Sequence, residues 1–165
     1  MSTKDIIRSQ YLASLKMLNQ AVLKCPEDLW KDARFPNQFW QIAYHVLFYT
    51  HLYLQPTEED FVPWEKHRKD AHSFEAHAEA TPGTVQVTAY TQEEVLEYLD
   101  FCRHEVNLQV NSLALDAESG FYWLPFNKLE LQFYNIRHLQ HHTGDLSERL
   151  GSAADIHIRW VGMVE

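Results

Sequence analysis

Apolar residues recur every three to four positions along four stretches of the chain, a period that predicts four amphipathic helices. In the first stretch, from Asp5 to about Lys24, the stripe is carried by Ile6, Ile7, Tyr11, Leu15, Leu18, Val22 and Leu23. Pro26 interrupts it, and residues 25–36 form a connection whose Trp30 and Phe35 are expected to fold back onto the helices. Asn37 is the expected N-cap of a second helix that ends near Gln55, just before Pro56. Thr91 followed by Glu94 has the form of a capping box. It opens a third helix, striped by Val95, Leu99, Cys102, Val106, Val110 and Leu113 and running to about Leu115. After an aromatic connection, Phe121 to Phe126, the pair Asn127 and Glu130 repeats the cap signature, and the fourth helix is expected to stop at Gly151.

The connections set the topology. The first and last are short, whereas residues 56–90 form a long irregular segment that still carries Phe61, Trp64, Phe74, Val85 and Val87, as a packed crossover would. A crossover of that length lets the second and third helices run parallel. Beyond Gly151, Ile156, Ile158 and Trp160 alternate with Asp155, His157 and Arg159, which predicts an extended tail laid over one end of the bundle. The expected fold is all-α: a single-domain four-helix bundle, residues 1–165, with a long crossover between helices 2 and 3 and a short extended C-terminal tail.

Charge narrows the partners. Lys and Arg number 14 against 23 Asp and Glu, a net charge of -9, so the field repels phosphate backbones and anionic membranes. Neither nucleic acid nor a membrane is an expected partner. The polar start Met-Ser-Thr-Lys-Asp has no secretory pattern, and the apolar run Ile42 to Leu54 is too short to span a bilayer, so a cytoplasmic location is expected. Cys25 and Cys102 are expected to be free buried thiols.

Histidine is the informative residue. Ten are present, and His138 and His142 lie four apart in the fourth helix, ~40° apart on one face and about one turn apart in height. Two imidazoles so placed suit one metal ion, although a core-edge pair satisfied by backbone or tyrosine hydroxyls is the alternative. His45 sits mid-way along the second helix in Ala43-Tyr-His-Val-Leu-Phe48, where an imidazole without a partner costs free energy. A neutral core histidine bonded to a hydroxyl or carbonyl is the other reading there. His51, about 120° around the helix from His45, is expected to face elsewhere. His141, about 60° from His138 on its other flank, is the rival to His142.

The chain resembles the DinB-like superfamily of metalloenzymes, which includes bacterial thiol-dependent transferases and mycothiol-dependent maleylpyruvate isomerases. The resemblance covers most of the chain. It rests on Trp40-Gln-Ile-Ala-Tyr-His45, on Arg137-His-Leu-Gln-His-His-Thr-Gly-Asp-Leu146 and on Arg159-Trp-Val-Gly162. It implies a metal held by His45, His138 and His142. One position departs from the family pattern, Asp145 standing where Gln is frequent after the helix-4 glycine. Asp145 is a candidate to orient His142 through its free ring N–H, a helix-surface carboxylate being the plainer alternative.

Three neutral imidazoles would leave a divalent ion its full charge and an open coordination position, as catalytic rather than structural zinc has. Imidazole suits zinc and nickel alike, with zinc the preferred expectation. The expected function is therefore a metal-dependent enzyme acting on a small-molecule substrate, a hydrolase or, as the resemblance implies, a thiol-dependent transferase that also uses a low-molecular-weight thiol. The alternative is a non-catalytic metal-binding or small-molecule-binding stress-response module. Apolar helix faces in bundles commonly pair, so a homodimer is expected. Trp40, Tyr44, Phe48, Trp123, Phe126 and Tyr134 are candidate pocket walls, with ordinary core packing as the alternative.

Overall fold

A computed structural model describes residues 1–75 and 87–164. Five helices are present among them, and no strand: α1 (Thr3–Lys24), α2 (Glu27–Trp30), α3 (Phe39–Leu54), α4 (Gln92–Ser112) and α5 (Lys128–Ala154). The four long ones are the four helices expected, and α2 is a single turn within the first connection.

Local chemistry sets most of the boundaries. Ser2 and Asp5 close a capping box at the start of α1, and Thr91 and Glu94 do the same for α4. Asn127 accepts from the Glu130 N–H at 2.9 Å and starts α5. The second expected cap is displaced by one residue. Gln38, not Asn37, precedes α3, because Gln41 Oε1 reaches back to the Gln38 N–H at 2.8 Å. The Asn37 carbonyl instead accepts from the Arg149 guanidinium at 2.8 Å. At the other extreme α5 passes through Gly151 and ends only at Ala154. Asp155, at φ 54°, supplies the left-handed residue there, a conformation Asp tolerates, and its N–H donates to Gly151 O. The glycine was not needed for the stop.

Helix directions follow from named contacts. Lys4 Nζ donates to Asn111 O and Gln92 Nε2 to Val22 O, so α1 and α4 are antiparallel. Cys102 Sγ donates to Leu47 O and Gln55 Nε2 to Glu105 Oε2, so α3 and α4 are parallel. Asn135 Nδ2 donates to Thr50 O and Lys128 Nζ to Gln55 O, so α3 and α5 are antiparallel. Each of α1 and α3 packs against both α4 and α5. Tyr11, Leu15, Leu18, Tyr44, Leu47, Tyr98, Leu99 and Leu139 fill the shared interior. Cys25 and Cys102 are free and buried, as expected.

The described part of the crossover is packed, not slack. Trp64 stacks on Tyr98 with centroids 4.6 Å apart, and the Tyr90 hydroxyl joins Lys66 O to the Arg68 N–H. His77, Pro82, Gly83 and Val85 of the expected crossover lie outside the described residues. The tail is extended, but it does not cap one end of the bundle. His157 O, Arg159 O and Gly162 O accept from Lys24, Gln20 and Gln10, so the tail runs back along almost the whole of α1. The 22-residue α1 supplies the side-chain donors that hold these carbonyls along its length. No described helix is long and apolar enough to cross a membrane.

Candidate metal centre

The seam between α3 and α5 carries the histidines. Because the two helices are antiparallel, His45 of α3 meets His138 and His142 of α5, one turn apart. Their ligand atoms lie within 4.8 Å of one another, so the group could hold a metal ion. The rings surround a point instead of stacking: His45 and His142 are inclined at 80°, His138 and His142 at 89°, with centroids 4.9 and 4.7 Å apart.

Hydrogen bonding fixes which nitrogens face inward. His45 Nδ1 lies 2.7 Å from His72 O, and a carbonyl only accepts, so Nδ1 carries the proton and Nε2 keeps its lone pair. His142 Nδ1 lies 3.1 Å from Asp145 Oδ2, which by the same logic frees the His142 Nε2 lone pair. His138 Nε2 faces His45 Nε2 at 3.2 Å, while His138 Nδ1 is buried with no partner among the described residues. Neither tautomer of His138 satisfies both of its nitrogens. The separation is close to the ~3.3 Å expected between two nitrogens on a tetrahedral ion with bonds of ~2.0–2.1 Å. His138 Nε2–H can donate to the His45 lone pair at this distance, and with that proton on Nδ1 instead the three Nε2 lone pairs would face one another, so the residues fit a divalent ion.

The electrostatics agree. Burial pushes His45 down to about 4 and His138 to about 3, and the neighbouring imidazoles add to both shifts. Burial also lowers His142, partly offset by Asp145. All three are neutral at pH 7, the form that ligates. Asp145 thus touches His142 as the sequence suggested, and its other neighbour is His141 Nε2 at 3.8 Å. His141 is exposed, with 68% of its side chain accessible, and is not part of the group around His45. His141, His142 and Asp145 form a second, more exposed group that shares His142.

Two aromatic residues that the pattern did not single out wall the centre. Phe74 stacks on the His45 ring at 4.0 Å, and Tyr49 packs against both His45 and His138 at 4.8 and 5.6 Å. Tyr49 is one helical turn beyond His45 on the same face, so spacing alone would have found it. Phe74 and the His72 carbonyl come from an irregular segment that has no period to read. Of the candidate walls, Trp40, Tyr44 and Phe48 are core. Phe126 and Tyr134 pair with each other, and Tyr134 meets Tyr53 further along the seam. Trp123 packs on Phe121 in the α4–α5 connection. His51 faces away from the centre, as expected, but it is buried against α4, bonded through Nδ1 to the Tyr98 hydroxyl at 3.2 Å.

No family model matches the chain, and no curated protein or solved structure is significantly similar to it.

Proposed function

We propose that the chain is a DinB-like metal-dependent enzyme, with His45, His138 and His142 as the ligands of one zinc or nickel ion. The single observation that carries this reading is the convergence of three neutral imidazoles, two of them with their proton tied up on the far nitrogen. The resemblance in Trp40 to His45 and Arg137 to Leu146 points the same way. A divalent ion held so would act as a Lewis acid on a bound thiol or water, lowering its pKa toward neutrality.

The chain's own groups have distinct parts. His72 O and Asp145 hold the rings of His45 and His142 in the ligating tautomer. Phe74 and Tyr49 shield the centre from bulk water and present an aromatic wall to a small organic substrate. Burial keeps the Tyr49 phenol protonated, so it is a hydrogen-bond donor at neutral pH. The reaction we favour is transfer of a low-molecular-weight thiol to an electrophilic carbon, with hydrolysis as the competing chemistry. Thiol consumption is measured with an electrophile such as 1-chloro-2,4-dinitrobenzene, on metal-loaded and chelated protein. Turnover that needs the metal and is lost in His138→Ala supports the enzyme; stoichiometric metal binding without turnover of thiol or ester moves the reading to a non-catalytic module. A cytoplasmic homodimer belongs to the same proposal. Exposed Phe133 and Trp160 on the flank formed by α5 and the tail support a self-association face, and sedimentation velocity tests it.

A further inference from the structure

The α3 helix has a second seam. On the side facing α4, a cavity of about 660 Å³ opens between the two helices and the crossover, lined by His51, Gln55, Asp60, Trp64, Phe101 and Glu105 among others. That volume is within the range of small-molecule sites. Phe101, Trp64 and the nearby Val62 and Pro63 supply apolar walls. Trp64 is itself fixed by its stack on Tyr98.

Two polar groups are held in place without being used up. Glu105 Oε2 accepts from both Gln55 Nε2 at 3.3 Å and Gln109 Nε2 at 3.1 Å, whereas Oε1 has no partner among the described residues. His51 is 97% buried, only 3% of it being exposed. Its Nδ1 is taken by the Tyr98 hydroxyl. The Tyr98 hydroxyl has no other partner among the described residues and so donates to Nδ1, which leaves the ring proton on Nε2, unpaired on a ring that lines the cavity. The core histidine thus presents one neutral nitrogen beside a pre-positioned carboxylate. Asp60 and Glu65 add negative charge at the rim, and no Lys or Arg is in the lining. Lys128 approaches from behind, but its ammonium is spent on the carbonyls of Gln55, Pro56 and Ser119. Lys66 is likewise paired with Glu97.

We propose that this cavity binds a small organic cation, an amine carrying an apolar or aromatic body. Its ammonium is received by Glu105 Oε1, and its body lies against Phe101 and Trp64. The site is separate from the three-histidine centre, on the opposite flank of α3, and does not depend on it.

The test is an NMR titration of the chelated, otherwise intact protein with phenethylamine, following the Trp64 indole resonance, with 3-phenylpropanoate as the anionic probe of the same shape. Saturable one-site binding of the amine is expected, with the carboxylate at least ten-fold weaker. Glu105→Gln should weaken the amine about ten-fold or more and leave zinc stoichiometry unchanged. Glu65→Lys, a rim change that touches no folding contact, should weaken it a few fold and so covers the case in which Glu105→Gln does not fold. Absence of saturable amine binding, equal binding of the two probes, or full amine affinity in folded Glu105→Gln would each overturn the proposal.

Discussion

Acidification of the metal-free protein between pH 6.5 and pH 5 should destabilise it steeply. His45, His51 and His138 are each neutral in the fold well below their ordinary titration point of 6.5, being lowered to about 4, 4 and 3. In that window the unfolded chain takes up protons at these positions and the folded chain does not, so stability falls as pH falls. The stabilisation is fully present above pH 6.5 and is lost progressively toward the folded values. A slope of ~1.36 kcal/mol per pH unit per group over ~1.5 units gives at most roughly 2 kcal/mol each and ~6 kcal/mol for these three, and His67, His72 and His142, also lowered by burial, act in the same direction. Because His45 and His138 are only partly enclosed, about half of that, ~3 kcal/mol, is the expected loss. It is a large fraction of the ~5–15 kcal/mol typical of a domain. Urea unfolding with chelator present, at pH 6.5 and pH 5.0, measures it directly. The His138→Gln variant should show a smaller loss. Stability that is flat across the window, or a slope unaltered in His138→Gln, would refute the reasoning.

Other consequences are more local. Asp145→Ala should weaken metal binding about 10- to 100-fold while leaving helicity unchanged, because it releases the His142 ring without removing a ligand; equilibrium competition with a chromophoric chelator reads the change. Chelation of the metal should leave the far-ultraviolet helical signal nearly intact, since the core of Tyr11, Leu18, Tyr44, Leu47 and Leu139 does not include the centre. Lys128→Met should cost about 2–3 kcal/mol in urea unfolding, because two buried carbonyls, Gln55 O and Ser119 O, and the partly buried Pro56 O lose their donor.

The helices were legible where the apolar period was long and the cap chemistry local. The Thr91–Glu94 box and the Asn127 cap are where the spacing put them, because each is decided within four residues. Two of the boundaries that differ were decided from a distance or by conformational tolerance. Arg149, on another helix, holds the Asn37 carbonyl, and Asp155 adopts the left-handed backbone that Gly151 was expected to supply. Spacing placed His138 and His142 on one face, and antiparallel packing of α3 on α5 then brought His45 to them. What fixes His45 was not legible, because a carbonyl from His72 and a ring from Phe74 enter from a segment without a period. His51 shows the opposite case. Its angle correctly took it off the seam of His45, His138 and His142, yet the same rotation turned it into the α3–α4 interior, where it lines a cavity of its own.

The central claim is that His45, His138 and His142 ligate one divalent ion, and calorimetric zinc titration of the chelated protein and its single alanine variants tests it most directly. The account predicts one site per chain, abolished or weakened by several orders of magnitude in His45→Ala, His138→Ala and His142→Ala, with His141→Ala within a few fold of the parent protein. Tight binding retained by His45→Ala or His138→Ala together with its loss in His141→Ala would place the ion on the exposed His141, His142 and Asp145 group and contradict the account.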